Sequence, residues 1–266
     1  SRGLGDVYKR QLRQRRQQQS ITVLQNESGN LATEPSALTE CARQYYEKLY
    51  SPEPIAEHDA TYLLSHVPDS ARIDPESHES LLSPWSVEDV QMVLNRLPIT
   101  SSPGIDGIPY VILKLLFKIP YIQQLFLQVL NTALLESKYP STWQRSVVIL
   151  LPKKGDRCQL KNWRPISLIC ADAKIFTRLL TSRLTPYLPD LIDNHQTGFM
   201  AGRFIGDNGL CTRLIMDIAQ KYKIPGIARM LDQEKAYDRV HPTYLRLCLQ
   251  HFGLPQRLTD CITSLF

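Results

Sequence analysis

Apolar positions recur at three- and four-residue steps from Thr33 to Tyr50, where Leu38, Cys41, Ala42, Tyr45, Tyr46 and Leu49 share one helical face. Pro52 and Pro54 close that helix, since a proline disfavours helical backbone in the residue before it. Upstream, Asn26-Glu27-Ser28-Gly29-Asn30 between apolar neighbours predicts a short hairpin within Ile21 to Leu31. Residues 51–84 read as an irregular linker with short helical pieces. Ser86 and Asp89 ahead of Val90, Val93, Leu94 and Leu97 predict a capped amphipathic helix. The turn formers of 101–109 interrupt the pattern. Residues 110–137 are then apolar on most faces, which predicts buried helix. Ser146 to Leu151 is a short apolar run, and Trp163 to Ile169 can return beside it across the turn at Pro152-Lys153-Lys154-Gly155-Asp156. An amphipathic helix from Ala173 to Leu188 and a helix over 207–221 lead to a short apolar run, Ile227 to Leu231, that reads as a buried strand. A last helix runs from Pro242 to Phe252 and stops at Gly253. Helices and strands interleave, so the expected class is α/β (α+β).

Composition narrows the picture. With 266 residues and 43% hydrophobic content, the chain can hold one large or two ordinary domains with a real core. No apolar run approaches the roughly 20 residues that span a bilayer, so no membrane partner is expected. The six cysteines have neither metal-ligand nor disulfide-framework spacing, which points to a reducing compartment and against a structural zinc. The first eleven residues resemble a translated sequencing adapter and are set aside. Arg13, Arg15 and Arg16 ahead of the glutamines at 17–19 read as a disordered basic lead-in.

Charge is concentrated. Residues 141–183 hold nine Lys/Arg against Asp156 and Asp172, a net +7 in a chain whose formal charge is only +5. Such a block is an electrostatic footprint for phosphates, with a plain solvated face as the competing reading. The hairpin over 146–169 can bring Lys153, Lys154 and Arg164 to one place, where an Arg fork grips a phosphate bidentately and a Lys acts as a point charge. Lys174 and Arg178 lie four apart on one helix face. The strand ending at Leu231 delivers Asp232, a carboxylate suited to Mg²⁺, which takes one or two such groups and fills its shell with water and phosphate oxygens. Tyr237 five residues on can floor a nucleotide pocket; a surface Asp in a strand-to-helix turn is the plainer alternative.

Four motifs decide between these readings. Met230-Leu231-Asp232-Gln233-Glu234-Lys235-Ala236-Tyr237-Asp238-Arg239-Val240 resembles the first catalytic motif of reverse transcriptases, closest to those of non-LTR (LINE-type) retrotransposons. Leu151-Pro152-Lys153-Lys154-Gly155-Asp156 followed by Asn162-Trp163-Arg164-Pro165-Ile166-Ser167-Leu168 resembles the finger motifs of the same family, with Trp163 where Tyr or Phe is commoner. Ser102-Pro103-Gly104-Ile105-Asp106-Gly107 resembles its "SPGxDG" element, and Gln196-Thr197-Gly198-Phe199-Met200-Ala201-Gly202-Arg203 its "QxGFxxGR" pattern.

The resemblance implies a right-hand polymerase: helix-rich fingers with a β-hairpin over the active site, and the first strands of an antiparallel palm sheet. It divides the chain into a lead-in (1–19), an N-terminal extension and linker (20–84), fingers (85–215) and the start of a palm (216–266). The implied function is RNA-directed DNA synthesis, with RNA template, DNA primer and deoxynucleoside triphosphates as partners and two Mg²⁺ (or Mn²⁺) ions in the intact enzyme. By the same resemblance Asp232 binds both metals with the Gln233 backbone beside them. Arg164 grips the triphosphate with Lys153 or Lys154, and Tyr237 packs under the sugar, while Asp238 holds the following turn. Gly104, Asp106, Lys174, Arg178, Gln196, Gly198 and Arg203 fall on the template side; Phe199 reads as core. A ribonucleoprotein shared between nucleus and cytoplasm is implied. Nothing like the family's downstream Ala-Asp-Asp hairpin follows Asp232. The expectation is therefore a fingers and partial-palm piece, inactive alone, with exposed apolar surface and self-association. A group II intron-type polymerase and a non-catalytic RNA-binding remnant stay open as alternatives.

Overall fold

The computed structural model describes residues 20–98 and 100–265. Among them, 20–51 and 146–169 form one compact unit, and the remainder forms a second.

The first unit is built from two hairpins and one helix. Strands β1 (Leu24–Gln25) and β2 (Leu31–Ala32) pair antiparallel, with Leu24 opposite Ala32. Their turn closes because the Asn26 side chain accepts from the Asn30 amide at 2.8 Å and Gly29 takes φ +83°. Helix α1 (Pro35–Tyr50) starts on a proline, whose missing N–H would have had no helical partner there. Strands β3 (Val147–Pro152) and β4 (Trp163–Leu168) form the second antiparallel pair, with Val147 opposite Leu168 and Leu151 opposite Arg164. Leu24, Cys41, Leu160 and Trp163 are buried together, so a residue from each hairpin meets α1 in one small core. The Trp163 indole N–H donates to the Arg157 carbonyl at 2.8 Å, satisfying the polar edge of a buried ring. A backbone bond from Gln25 to the Cys158 carbonyl, 2.7 Å, ties the two hairpin regions.

The second unit is helical among its described residues. It comprises α2 (Glu57–Leu64), a 3₁₀ turn (Pro75–Ser77), α3 (His78–Leu82), α4 (Val87–Arg96), α5 (Tyr110–Leu116), α6 (Pro120–Glu136), α7 (Ala171–Leu184), α8 (Leu188–Leu191), α9 (Ile205–Lys221), α10 (Pro242–His251) and α11 (Gln256–Thr263). Ser86 and Asp89 form a full capping box at the head of α4, each side chain accepting from the other's backbone amide. Tyr110, Leu130, Leu134, Ile175, Phe176 and Leu258 are essentially inaccessible and mark the core. Residues 110–137 are two helices bent by 117°, not one. Pro120 opens α6 at its first turn, and the Gln123 amide caps the Phe117 carbonyl at 2.7 Å. Nor is that stretch uniformly buried: Val111, Ile112, Leu115, Tyr121 and Leu125 face outward. Among the described residues no single helix is long and apolar enough to cross a membrane.

Further along, Ile227 to Leu231 is not a buried strand. Its backbone is irregular, and Ile227 and Met230 are each 97% exposed. A strand is held by inter-strand hydrogen bonds, and the described residues offer this run no partner. The first palm strand is therefore unformed among them. Helix α9 likewise buries none of its residues, leaving Leu210, Leu214 and Ile218 in the open. The turn into α10 is capped by His241, whose Nδ1 accepts from the Thr243 amide at 3.1 Å.

Gly253 after α10 has φ +77°, and a Cβ there would lie 2.9 Å from the Ile73 carbonyl oxygen. The neighbouring chain is clamped by the Ile73 amide on the Phe252 carbonyl and by the His78 ring on the Gly253 carbonyl, each at 2.9 Å. Gly253→Ala should therefore destabilise the second unit by about 1–3 kcal/mol through strain at a left-handed position. Urea denaturation is the check, and an unchanged midpoint would contradict the clamp.

Candidate nucleotide and template sites

On the hairpin of the first unit, register decides which basic groups converge. Arg164 faces Leu151 across the ladder, and Lys153 lies two residues beyond Leu151 on the same face. The Lys153 amide extends the pairing by donating to the Asn162 carbonyl at 2.7 Å. Lys153 and Arg164 are thus diagonal neighbours, a relation that spaces residues roughly 7–8 Å apart, within reach of long side chains. Lys154 sits in the turn itself. That turn is shaped by the Asp156 carboxylate, which accepts from the Cys158 amide at 2.9 Å, and by Asn162, whose side chain donates to the Asp156 carbonyl at 2.7 Å. Gly155 at φ +116° passes so close to Asn162 that a Cβ would meet it at 3.0 Å. Lys153, Lys154 and Arg164 are all exposed. Two cations on one face and a third at the tip can meet an anion with several phosphates.

In the second unit the 101–109 loop is fastened to α7. The Gly107 amide reaches the Gly104 carbonyl at 3.2 Å, and the Asp106 side chain accepts from Ile108 at 3.1 Å, so the loop folds on itself around Gly107 at φ +70°. Lys174 donates to the Ser102 carbonyl at 2.8 Å. Arg178 bonds the Tyr110 hydroxyl; burial, the larger effect, still pushes that phenol's pKa up against the lowering by Arg178. Both basic side chains on this face of α7 thus also hold local structure.

Ligand atoms of Asp106, Cys170 and Asp172 lie within 4.8 Å of one another. They form an internal tie rather than an open metal site. The Cys170 thiol donates to the Thr142 carbonyl at 3.6 Å, and burial holds its pKa up. Asp172 accepts from the Trp143 indole and from the Ala173 amide, both at 2.8 Å, at a helix start whose dipole disfavours a cation.

The 196–203 segment and the turn after Asp232 meet through one ring pair. Phe199 and Tyr237 are edge-to-face with centroids 6.3 Å apart. Phe199 is not core: it is 95% exposed, with φ +61°, and Tyr237 is 78% exposed. A positive φ is uncommon in a bulky residue. Gln196 donates to the Gly198 carbonyl at 3.1 Å. The Arg203 guanidinium donates to four backbone carbonyls, those of Pro189, Ile192, Asp193 and Gln196, at 2.5–3.4 Å. Arg203 thereby shapes the loop that carries Gly198. The backbone amide and ring of His195, the largest influence, hold the Asp193 carboxyl below its usual range beside it. Asp232 and Gln233 lie exposed on the irregular run. Among the described residues no further carboxylates gather with Asp232 into a metal-binding group. One carboxylate fits one ligand position of a hydrated Mg²⁺; it does not make a two-ion site.

Sequence reasoning treated Lys174 and Arg203 as free for phosphate, because charge is legible and a carbonyl partner 72 or 10 residues away is not. It did not single out Arg96 or Arg183, which line a groove between α4 and α7. For Arg183 the available signal was only its place inside the basic block, five residues past Arg178 and off the Lys174–Arg178 face.

Residues 151–266 match the family model described as "Reverse transcriptase (RNA-dependent DNA polymerase)". Over 246 residues the chain is 31% identical to the "Transposon TX1 uncharacterized 149 kDa protein" of Xenopus laevis, covering 92% of this chain and 18% of that protein. It is 29% identical over 165 residues to the "Probable RNA-directed DNA polymerase from transposon BS" of Drosophila melanogaster, covering 60% and 18%. It is 27% identical over 203 residues to the "RNA-directed DNA polymerase from mobile element jockey" of the same species, covering 74% and 21%. The chain thus spans about a fifth of the length of these curated relatives.

Proposed function

We propose that this chain, which belongs to the reverse transcriptases of non-LTR retrotransposons and is a partial region of that domain, comes from an enzyme that extends a DNA primer on an RNA template by two-metal phosphoryl transfer. The observation that carries this reading is the family match over 151–266, the stretch that holds Arg164, the 196–203 loop and Asp232 in order. In this reading residues 85–215 are fingers and 216–266 begin the palm. Asp232 holds a divalent ion, Mg²⁺ or Mn²⁺, which when bound would neutralise charge on the triphosphate. Gln233 lies beside it through its backbone. On the hairpin, Arg164 grips phosphate oxygens through its fork with Lys153 and Lys154 adding charge. On the template side the reading places Gly104, Asp106, Lys174, Arg178, Gln196, Gly198 and Arg203. Since Lys174 and Arg203 already hold backbone carbonyls, their part is to set the loops that an RNA strand would meet.

Tyr237 belongs under the sugar, where its exposed ring is braced at the edge by Phe199. A ring in that place excludes a ribose 2′-hydroxyl by contact. Tyr237→Ala in the parent polymerase should raise ribonucleotide incorporation about tenfold or more, a change of ~1.4 kcal/mol in discrimination. Single-nucleotide primer extension measures it, and an unchanged deoxy-over-ribo preference would remove Tyr237 from the sugar site. The wider reading is tested by assaying the parent protein on an RNA template with Mg²⁺ and with Mn²⁺. No incorporation under either ion, with RNA binding intact, would leave the non-catalytic RNA-binding reading. Because the described residues gather no group of three or more metal-ligating side chains around Asp232, the 266-residue chain by itself is expected to be inactive in the same assay.

A further inference from the structure

We propose that the groove between α4 and α7 binds the phosphodiester backbone of an RNA strand, with Arg96 and Arg178 as its contacting groups and Arg183 as a fixed positive charge beneath them. The identity of the polyanion rests on the polymerase reading above; the groove itself rests on geometry. A cavity of about 440 Å³ opens between the two helices, lined by Arg96, Arg178, Arg183, Ser182, Met92 and Asp89 among others. That volume is in the range of ligand-holding clefts.

The lining is unbalanced in charge. Three guanidinium groups face it, and the single carboxylate, Asp89, accepts from the Ser86 amide at 2.9 Å in the α4 capping box. Among the described residues none of the three arginines makes an ion pair. Arg183 is locked in place: its guanidinium lies 4.7 Å over the Trp85 ring and donates to the Leu81 and Ser83 carbonyls at 3.2 and 2.5 Å. Burial lowers its pKa, as expected for a cation removed from water without a carboxylate contact. Asp89 in the same lining offsets part of that charge without contacting it, and the remainder stays available to a ligand. Trp85 is buried under the arginine and offers no face for a base, so backbone contact is favoured over stacking.

The chemistry suits a polyanion better than a lone phosphate. Arg178 and Ser182, four apart on α7, both line the groove and set donors about 6 Å apart along the helix at 1.5 Å per residue. Arg96, exposed in the last turn of α4, adds a second edge to it. Guanidinium forks along two sides of a groove can hold successive phosphates of one strand.

The experiment uses the whole 266-residue chain and a fluorescent single-stranded RNA about 20 nucleotides long, with anisotropy read across salt. Each phosphate contact contributes about 0.7 to the slope of log affinity against log salt for single strands. Arg96→Gln should flatten that slope by about 0.7, and Arg96→Gln with Arg178→Gln by about 1.4, with roughly tenfold weaker binding at low salt. Arg178 bonds Tyr110, so circular dichroism accompanies the double variant; the exposed Arg96 single variant stands alone if the double fails to fold. An unchanged slope and affinity in folded Arg96→Gln would overturn the proposal, as would polyglutamate displacing the RNA at equal charge concentration. The readout contains no catalysis, so its failure leaves the polymerase assay to stand or fall separately.

Discussion

Asp232→Asn in the parent polymerase is expected to lower RNA-templated primer extension by at least about a thousandfold, some 4 kcal/mol of transition-state stabilisation. The substitution keeps shape and removes one negative charge from the proposed metal ligand. Metal-held charge at a transferring phosphoryl group is worth several kcal/mol, so losing a ligand should cost most of the rate. Asp238→Asn is the control. It lies six residues on, in the turn before the His241 cap of α10, and should retain activity within tenfold. Single-turnover incorporation with a Mg²⁺ titration separates the two: the Asp232→Asn enzyme should not be rescued by Mg²⁺ far above the concentration that suffices for the unsubstituted protein. Extension within tenfold of the unsubstituted protein would mean that Asp232 is not the ligand, and the alternative of a surface Asp in a turn would hold.

Local signals in the sequence translated well into structure. Ser86 and Asp89 encode a cap whose partners are three residues apart, and the structure forms both bonds. The β3–β4 hairpin, the α1 periodicity and the approximate range of α7 are likewise written in neighbouring residues. What failed needed distant partners. Residues 227–231 have strand composition, but composition supplies no neighbour to bond, and the run stays irregular. The break between α5 and α6 was marked by Pro120, yet continuous apolarity masked it. That residues 20–51 share a unit with the hairpin depends on Trp163 and Leu160 meeting Leu24 and Cys41, contacts that no periodicity announces. Among candidate site residues, identity showed charge but not use. Arg203 and Arg164 look alike in a sequence; one is surrounded by carbonyls and the other is exposed.

Phe176→Ala should destabilise the second unit by about 3–5 kcal/mol, the usual range for deleting a buried phenyl ring. Phe176 is fully buried on α7, and its ring centroid lies 4.9 Å from Trp143, 5.4 Å from Trp85 and 5.9 Å from Tyr139. These partners cannot close over the gap freely. The Trp143 indole is bonded to Asp172, the Trp85 backbone is held on both sides by the Asn131 side chain, and Tyr139 donates to the Cys261 carbonyl. A cavity ringed by pinned groups stays open, which places the expected loss toward the top of the range. Domains are commonly stable by only about 5–15 kcal/mol, so the change is a large share of the total. Trp85 and Trp143 report on the second unit and Trp163 on the first. Urea melts of single-tryptophan versions therefore assign the loss to its unit. A drop below about 1 kcal/mol in the Trp143 signal would mean that the aromatic cluster is not the core of this unit. The expected drop would also reach the RNA groove, because Phe176 anchors the helix that carries Arg178 and Arg183 and packs against the ring on which Arg183 rests. The salt slope for RNA should then flatten in the Phe176 variant at temperatures where Trp143 still reports a folded fraction, since positioning of the two arginines is lost before the unit unfolds.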